Sequence, residues 1–286
     1  MKMGTATFFA AMRMLCQRGL SRERWLSPFS LPFSLLVMLL ATPAAAQAPV
    51  GLDAHLARLV AAYPEFLASI DGNDLVWKDG TRMAVDDGKG IKDHAARLAG
   101  ADIKDMFAQP YRAGPMSSPP TSNEDPGRAR NAALFDKMYG DCTKGETANH
   151  LVDVVWLPKK WGKILKVTRI NGVADKLAAV SRELDALPAK FDAYLFPSAG
   201  AYNCRVIAGT TRTSAHGHGI AIDIATKPAH YWQWSGAKAG GTIPYKNAIP
   251  PEIVEIFERH GFIWGGKWYH YDTMHFEYRP ELLPPM

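Results

Sequence analysis

Two short stretches, about fifty residues apart, constrain the fold more than any other part of the chain. Residues 214–223 read S-A-H-G-H-G-I-A-I-D, and residues 268–277 read W-Y-H-Y-D-T-M-H-F-E. Together they offer two imidazoles and a carboxylate as metal ligands, and a spare carboxylate three residues before the last histidine. Three protein ligands, an open position for water and a general base are the minimum for a hydrolytic zinc site.

In the first stretch, Gly217 and Gly219 flank His218, which predicts a tight turn with unusual backbone angles. Residues 219–224 are small or apolar apart from Asp223, as expected of a buried strand. His216 is therefore expected on the turn, with Asp223 near the end of the strand. His218 is the alternative to His216 as a ligand, because H-x-H on one strand face can place two ligands together. The intervening glycines, however, disfavour a regular strand there.

In the second stretch, alternation within T-M-H-F-E separates the side chains onto two faces. Met274 and Phe276 are expected to pack beneath, while His275 and Glu277 share the opposite face and His275 reaches the metal. Asp272, in the preceding turn, would face the water molecule bound to the metal. The remaining histidines have no obvious partners, and we interpret them as surface or structural: His55, His94, His150, His230 and His260.

The two motifs, in this order, resemble those of the VanY-type zinc D-alanyl-D-alanine carboxypeptidases and the related L-alanyl-D-glutamate endopeptidases of phage and bacterial lysins. The resemblance covers about residues 202–280 and extends more loosely from residue 151. It implies a peptidase that cuts peptidoglycan stem peptides with one Zn²⁺ ion bound by His216, Asp223 and His275.

The same resemblance makes Asp272 the general base, and it matches Arg205 to an arginine that contacts substrate or the developing oxyanion. The carboxypeptidases typically carry Glu where this chain has Asp272, whereas the endopeptidases tend to carry Asp, so both specificities stay open. Further candidates for substrate contacts are Ser214, Trp268 and His270. A related zinc-site fold in hedgehog signalling proteins functions in binding, so a non-catalytic wall-binding module is the alternative, which the retained Asp272 disfavours.

The first 46 residues have the pattern of a cleaved signal peptide rather than of a membrane anchor. A basic segment precedes an apolar run that is interrupted by prolines, and A-x-A ends at Ala46. The longest uninterrupted apolar run, residues 33–40, is too short to span a bilayer. We therefore expect export to the periplasm or cell envelope, with no stable membrane span after cleavage.

Charge and cysteine content agree with an exported protein that does not bind nucleic acid. The first 48 residues hold five of the 33 Lys and Arg but one of the 28 Asp and Glu, so the rest of the chain is almost neutral. Cys142 and Cys204 remain after cleavage, and one disulfide between them is favoured over two buried thiols.

The remaining pattern predicts a single α+β zinc-peptidase domain at residues 151–286, with a central antiparallel sheet flanked by helices. Residues 47–150 would form an N-terminal elaboration: a helix over 52–71, a hairpin turning at Asp79-Gly80, and a long loop over 108–130. That loop wraps the domain, shapes a substrate groove or is a mobile surface segment, and the sequence leaves these alternatives open. Within the domain, strands are expected at 151–157, 163–170, 202–208, 219–224 and 274–278, and helices at 174–187 and 251–260.

Overall fold

The computed structural model describes residues 51–207, 209–237 and 241–284, so the predicted signal peptide lies outside the described part. The described residues combine α-helices with three antiparallel sheets, which confirms the predicted α+β class. Within these residues, we find no helix whose length and apolar character would let it cross a membrane.

The N-terminal region begins with a helix that is shorter than predicted. Helix α1 (Leu52–Ala62) ends where Tyr63 precedes Pro64, because a residue before proline is driven out of the helical region. The rest of the predicted helix is instead strand β1 (Leu67–Asp71). Strand β1 pairs with β2 (Asp74–Trp77), which forms the predicted hairpin with β3 (Arg82–Ala84). Helices α2 (His94–Ala99) and α3 (Ala132–Tyr139) follow, separated by the long loop.

The next region forms a hairpin covered by a helix, close to the predicted pattern. Strands β4 (Leu151–Trp156) and β5 (Lys163–Thr168) pair along their full length. Helix α4 (Val173–Asp185) buries Leu177, Val180 and Leu184 on one stripe. The short helix α5 (Asp192–Leu195) leads into the last sheet.

The four-stranded sheet has the order β6-β7-β9-β8 and carries the two sequence motifs. Its strands are β6 (Ser198–Gly200), β7 (Ala221–Ala225), β8 (Phe262–Trp264) and β9 (His275–Tyr278), and helix α6 (Pro251–Arg259) precedes β8. Strands β7 and β9 are antiparallel neighbours, and their register places Asp223 directly opposite His275. The fold thus brings the two motifs together on adjacent strands.

The prediction of a strand over residues 202–208 is wrong. Strand β6 ends at Gly200, and beyond it Val206 makes only an isolated bridge to Thr213. The backbone N–H of Asn203 donates to the carbonyl of His216, at 3.2 Å, instead of to a neighbouring strand. Next to it, Cys204 forms the predicted disulfide with Cys142, with the two Cα atoms 5.6 Å apart.

One hydrophobic core runs through both halves of the described chain, from Leu56 in α1 to Leu283. A buried polar link joins the same two regions, because the hydroxyl of Tyr63 donates to Glu281 Oε2 at 2.6 Å. The N-terminal elaboration therefore packs into the core that also supports the four-stranded sheet.

Candidate metal centre and cleft

His216 lies on a single 3₁₀ turn, Ala215–His218, that leads into β7. Ser214 caps this turn, because its hydroxyl accepts the backbone N–H of His216. Gly219 ends the turn at φ +70°, where a Cβ atom would meet Thr168 N and Leu151 Cδ2 at 3.0 Å. The carbonyl of Ala201 accepts Nδ1–H of His216, so Nε2 is the ring nitrogen that faces the site.

His275 and Asp223 complete a triangle with His216. His275 Nδ1 lies 2.9 Å from Asp223 Oδ1. His216 Nε2 lies 3.2 Å from His275 Nδ1 and 3.2 Å from Asp223 Oδ1. The two histidines thus approach each other through different ring nitrogens, and both are more than nine-tenths buried.

This triangle has the donor set and the dimensions of a zinc site. Tetrahedral ligands held about 2.0–2.1 Å from zinc lie about 3.3 Å from one another. The three donor atoms of His216, Asp223 and His275 are separated by 2.9–3.2 Å. Two imidazoles and one carboxylate also match the ligands used where a further coordination position stays open. The residues therefore fit one zinc ion.

A buried carboxylate that is paired with two arginines contacts His275 on the side away from the triangle. The Nε2 atom of His275 lies 3.3 Å from Glu277 Oε2, and Glu277 in turn pairs with Arg130 at 2.8 Å and Arg279 at 2.9 Å. Burial alone would lower the pKa of His275, but its bonds to Asp223 and Glu277 raise that pKa to about 10. A metal ion bound here would have to displace a proton from His275, so its binding would be stronger at higher pH.

Asp272 lies beside the triangle but outside it. Within the described residues its Oδ1 atom is buried and has no hydrogen-bond partner. Burial, and then the negative charge of Asp223, raise the pKa of Asp272 to about 6. Such a carboxyl group can both accept and return a proton near neutral pH, as a general base requires.

A cleft of about 300 Å³ opens onto these residues, and both predicted and unforeseen side chains line it. Every other residue predicted to contact substrate lies on its wall: Arg205, Ser214, Trp268 and His270. Phe276 packs beneath β9 against Phe257, as predicted, with ring centroids 3.8 Å apart. Met274, expected to pack beneath with it, is buried in the same hydrophobic core and also lines the cleft.

His218 does not join the triangle. Its Nε2 lies 2.8 Å from Asp136 Oδ1, and its ring packs beside Phe135 and Tyr139 in α3. The turn that aims His216 into the site therefore aims His218 towards α3. Of the two rival histidines, the structure places only His216 with Asp223 and His275.

Sequence reasoning left open whether the long loop before α3 shapes a substrate groove, and it did not identify the residues of the loop that do so. Arg128 and Arg130 line the cleft, and Asp125 contacts His270 behind the cleft wall. His94, interpreted as a surface residue, contacts the same carboxylate, with Nε2 2.8 Å from Asp125 Oδ2. The only signal in the sequence is the density of charge at residues 124–130, which has no periodicity to point it towards the site.

A profile for the D-alanyl-D-alanine carboxypeptidase family matches residues 208–278. The match spans both motifs, confirms the resemblance over this part of the chain, and supports a peptidase function in general. Searches of curated proteins and of solved structures found no match.

Proposed function

We propose that this chain, whose residues 208–278 match the D-alanyl-D-alanine carboxypeptidase family, is an exported zinc peptidase acting on bacterial peptidoglycan stems. Its target is either the L-alanyl-D-glutamate bond or the terminal D-alanyl-D-alanine bond. One observation carries the proposal: three donor atoms of His216, Asp223 and His275 converge within 3.2 Å of one another, beside Asp272, whose Oδ1 atom has no hydrogen-bond partner in the described part of the chain.

The triangle of His216 Nε2, Asp223 Oδ1 and His275 Nδ1 would hold the zinc ion. When bound, zinc supplies a Lewis acid that polarises a carbonyl group and lowers the pKa of a water molecule. The protein's part is to fix the ligands in the required orientation. Ala201 does so for His216, and Glu277 does so for His275.

Asp272 is the residue we assign to proton transfer. Its carboxylate accepts a proton from the attacking water as the water oxygen bonds to the carbonyl carbon. It then donates that proton to the leaving nitrogen as the carbon–nitrogen bond breaks. With a pKa of about 6 in the metal-free protein, Asp272 needs little free energy to take up and release this proton.

Arg205 is the residue we assign to the charge that develops on the carbonyl oxygen, or to a substrate carboxylate. The only hydrogen bond that its guanidinium group makes to a described residue is a 3.5 Å contact with the neighbouring carbonyl of Val206. The guanidinium group lies on the cleft wall and is therefore available to an anion.

Export to the periplasm or cell envelope belongs to the same proposal. The Cys142–Cys204 disulfide supports it, because such bonds persist in oxidising compartments. The predicted signal peptide at residues 1–46 supports it from the sequence. Peptidoglycan lies in that location, so the proposed enzyme and substrate would meet there.

Mass spectrometry of defined wall fragments tests the proposal. Purified stem pentapeptide and disaccharide-peptide are incubated with the protein, either with zinc or with a chelator. Zinc-dependent loss of one terminal alanine identifies a carboxypeptidase, and release of a fragment beginning with D-glutamate identifies an endopeptidase. Asp272→Ala serves as the control, since it should bind zinc and cleave nothing. Zinc binding without cleavage of any fragment would favour the wall-binding module instead.

A further inference from the structure

A further histidine–carboxylate pair joins His270, on the wall of the cleft, to Asp125 behind it. His270 Nδ1 lies 2.7 Å from Asp125 Oδ2, and the backbone N–H of His270 donates to Asp125 Oδ1 at 3.0 Å. One carboxylate therefore holds both the ring and the backbone of His270. His270 lies two residues before Asp272, and the two side chains line the same cleft.

The groups around Asp125 keep its carboxyl group ionised. Its side chain is 1% exposed, and Oδ2 also contacts His94 Nε2 at 2.8 Å and Arg128 Nη1 at 3.3 Å. Burial would raise the pKa of Asp125, but His270, His94 and Arg128 hold it well below its usual range. An ionised carboxylate only accepts hydrogen bonds, so Nδ1 of His270 must carry the proton.

The ring of His270 is fixed on both sides. It stacks on His94 with centroids 5.4 Å apart and an interplanar angle of 16°. It also meets the Trp232 ring edge to face, at 4.9 Å and 81°. Its Nε2 atom has no hydrogen-bond partner among residues 51–207, 209–237 and 241–284. In the neutral ring, this nitrogen offers a lone pair.

We propose that His270 Nε2 accepts a hydrogen bond from a backbone N–H of the peptide substrate, and that Asp125 is the residue that positions it. This inference rests on the proposed peptidase function and adds a substrate contact to the same cleft. The contact is present in the bound substrate as well as in the transition state. It should therefore lower KM and leave kcat almost unchanged.

A second metal site at His94, Asp125 and His270 is the competing interpretation, since their potential ligand atoms lie within 4.8 Å of one another. Arg128 disfavours it, because its guanidinium already occupies the same Asp125 oxygen, at 3.3 Å. A metal cation there would face a fixed positive charge. The geometry therefore favours a hydrogen-bonded clamp over a metal centre.

Steady-state kinetics test the proposal, with the stem peptide that wild type cleaves as the substrate. We expect His270→Ala and Asp125→Asn to raise KM about tenfold, the effect of losing one hydrogen bond of about 1.4 kcal/mol. The kcat should change by less than about threefold, and zinc content should stay at one ion per chain. His270→Gln, whose amide oxygen can accept at a similar reach, should recover part of the loss. His260→Ala is the matched control, because His260 also pairs with a carboxylate, Glu183, but does not line the cleft.

A nitrogen-15 NMR spectrum of the histidine rings supplies a readout that does not depend on turnover. We expect Nδ1 of His270 to be protonated and Nε2 unprotonated, with the Nε2 signal moving when stem peptide binds to Asp272→Asn.

The possible results separate the two proposals. Normal cleavage by wild type with an unchanged KM in folded His270→Ala overturns this inference and leaves the proposed function standing. A second bound zinc ion in wild type that His94→Ala removes also overturns it, in favour of the metal site. Failure of wild type both to cleave and to bind stem peptides overturns the proposed function, and this inference with it.

Discussion

The carboxyl group of Asp272 should destabilise the folded protein whenever the metal is removed. Its Oδ1 atom is buried without a hydrogen-bond partner among the described residues, and burial, together with the charge of Asp223, raises its pKa to about 6. Asp272→Asn removes the charge and keeps the size of the side chain. We therefore expect this variant to be more stable than wild type in chelator at neutral pH.

The pH dependence follows from the direction of the pKa change. The unfolded chain loses the Asp272 proton near the ordinary value of 3.8, whereas the folded chain keeps it up to about pH 6. Below about pH 4 both states are protonated, so the penalty is absent, and it is complete above the folded-state pKa. A rise in pKa from 3.8 to about 6 corresponds to about 3 kcal/mol, because one pKa step is worth about 1.4 kcal/mol.

Urea unfolding of both proteins in chelator, from about pH 4.5 to about pH 7.5, measures this penalty. The difference in the free energy of unfolding should grow with pH towards about 3 kcal/mol in favour of Asp272→Asn. Asp141→Asn is a control of opposite sign, because hydrogen bonds from the Thr143 side chain and backbone lower the pKa of Asp141. A difference for Asp272→Asn that stays flat or shrinks with rising pH would refute the reasoning.

Three further substitutions probe the support of the site. Arg130→Met removes the buried 2.8 Å ion pair with Glu277, which lies behind the proposed ligand His275. Competition with a chelator should show that zinc affinity falls about 10–100-fold, whereas Arg259→Met, which removes an exposed ion pair, should leave it unchanged. Cys142→Ser removes a disulfide between residues 62 positions apart, so urea unfolding should show that the free energy of unfolding falls by about 4 kcal/mol. Wild type with its disulfide reduced should lose the same amount. Arg205→Ala should lower kcat about a hundredfold while zinc content is unchanged; full activity would remove Arg205 from the mechanism.

The sequence was most informative where local pattern and chemistry coincide. Glycines beside His216 predicted the turn, a run of small and apolar residues predicted the strand that carries Asp223, and alternation predicted the strand that carries His275. These features depend on backbone geometry within a few residues. The same local reasoning overextended α1 past Ala62, where the residue before Pro64 cannot continue a helix.

Contacts between distant segments could not be predicted in this way. Nothing near Asp125 indicates that it meets His270, 145 residues later, because that pairing depends on the path of a loop whose sequence has no periodicity. The missing strand over residues 202–208 has a similar cause. The backbone N–H of Asn203 donates to His216 in the turn, that of Ile207 donates to Arg212, and Cys204 is bonded to Cys142; none of these contacts is visible in the alternation of the side chains.

The bond between Tyr63 and Glu281 has a consequence for the order in which the molecule is assembled. The two residues are 218 positions apart, and the same buried network continues through Arg279 and Glu277 to the ligand His275. A growing polypeptide makes Tyr63 early and Glu281 late. A chain that stops before residue 281 therefore lacks part of the network, and one that stops before residue 275 lacks a ligand. The proposed metal centre would thus be among the last parts of the molecule to form, and a chain that ends before His275 would lack it.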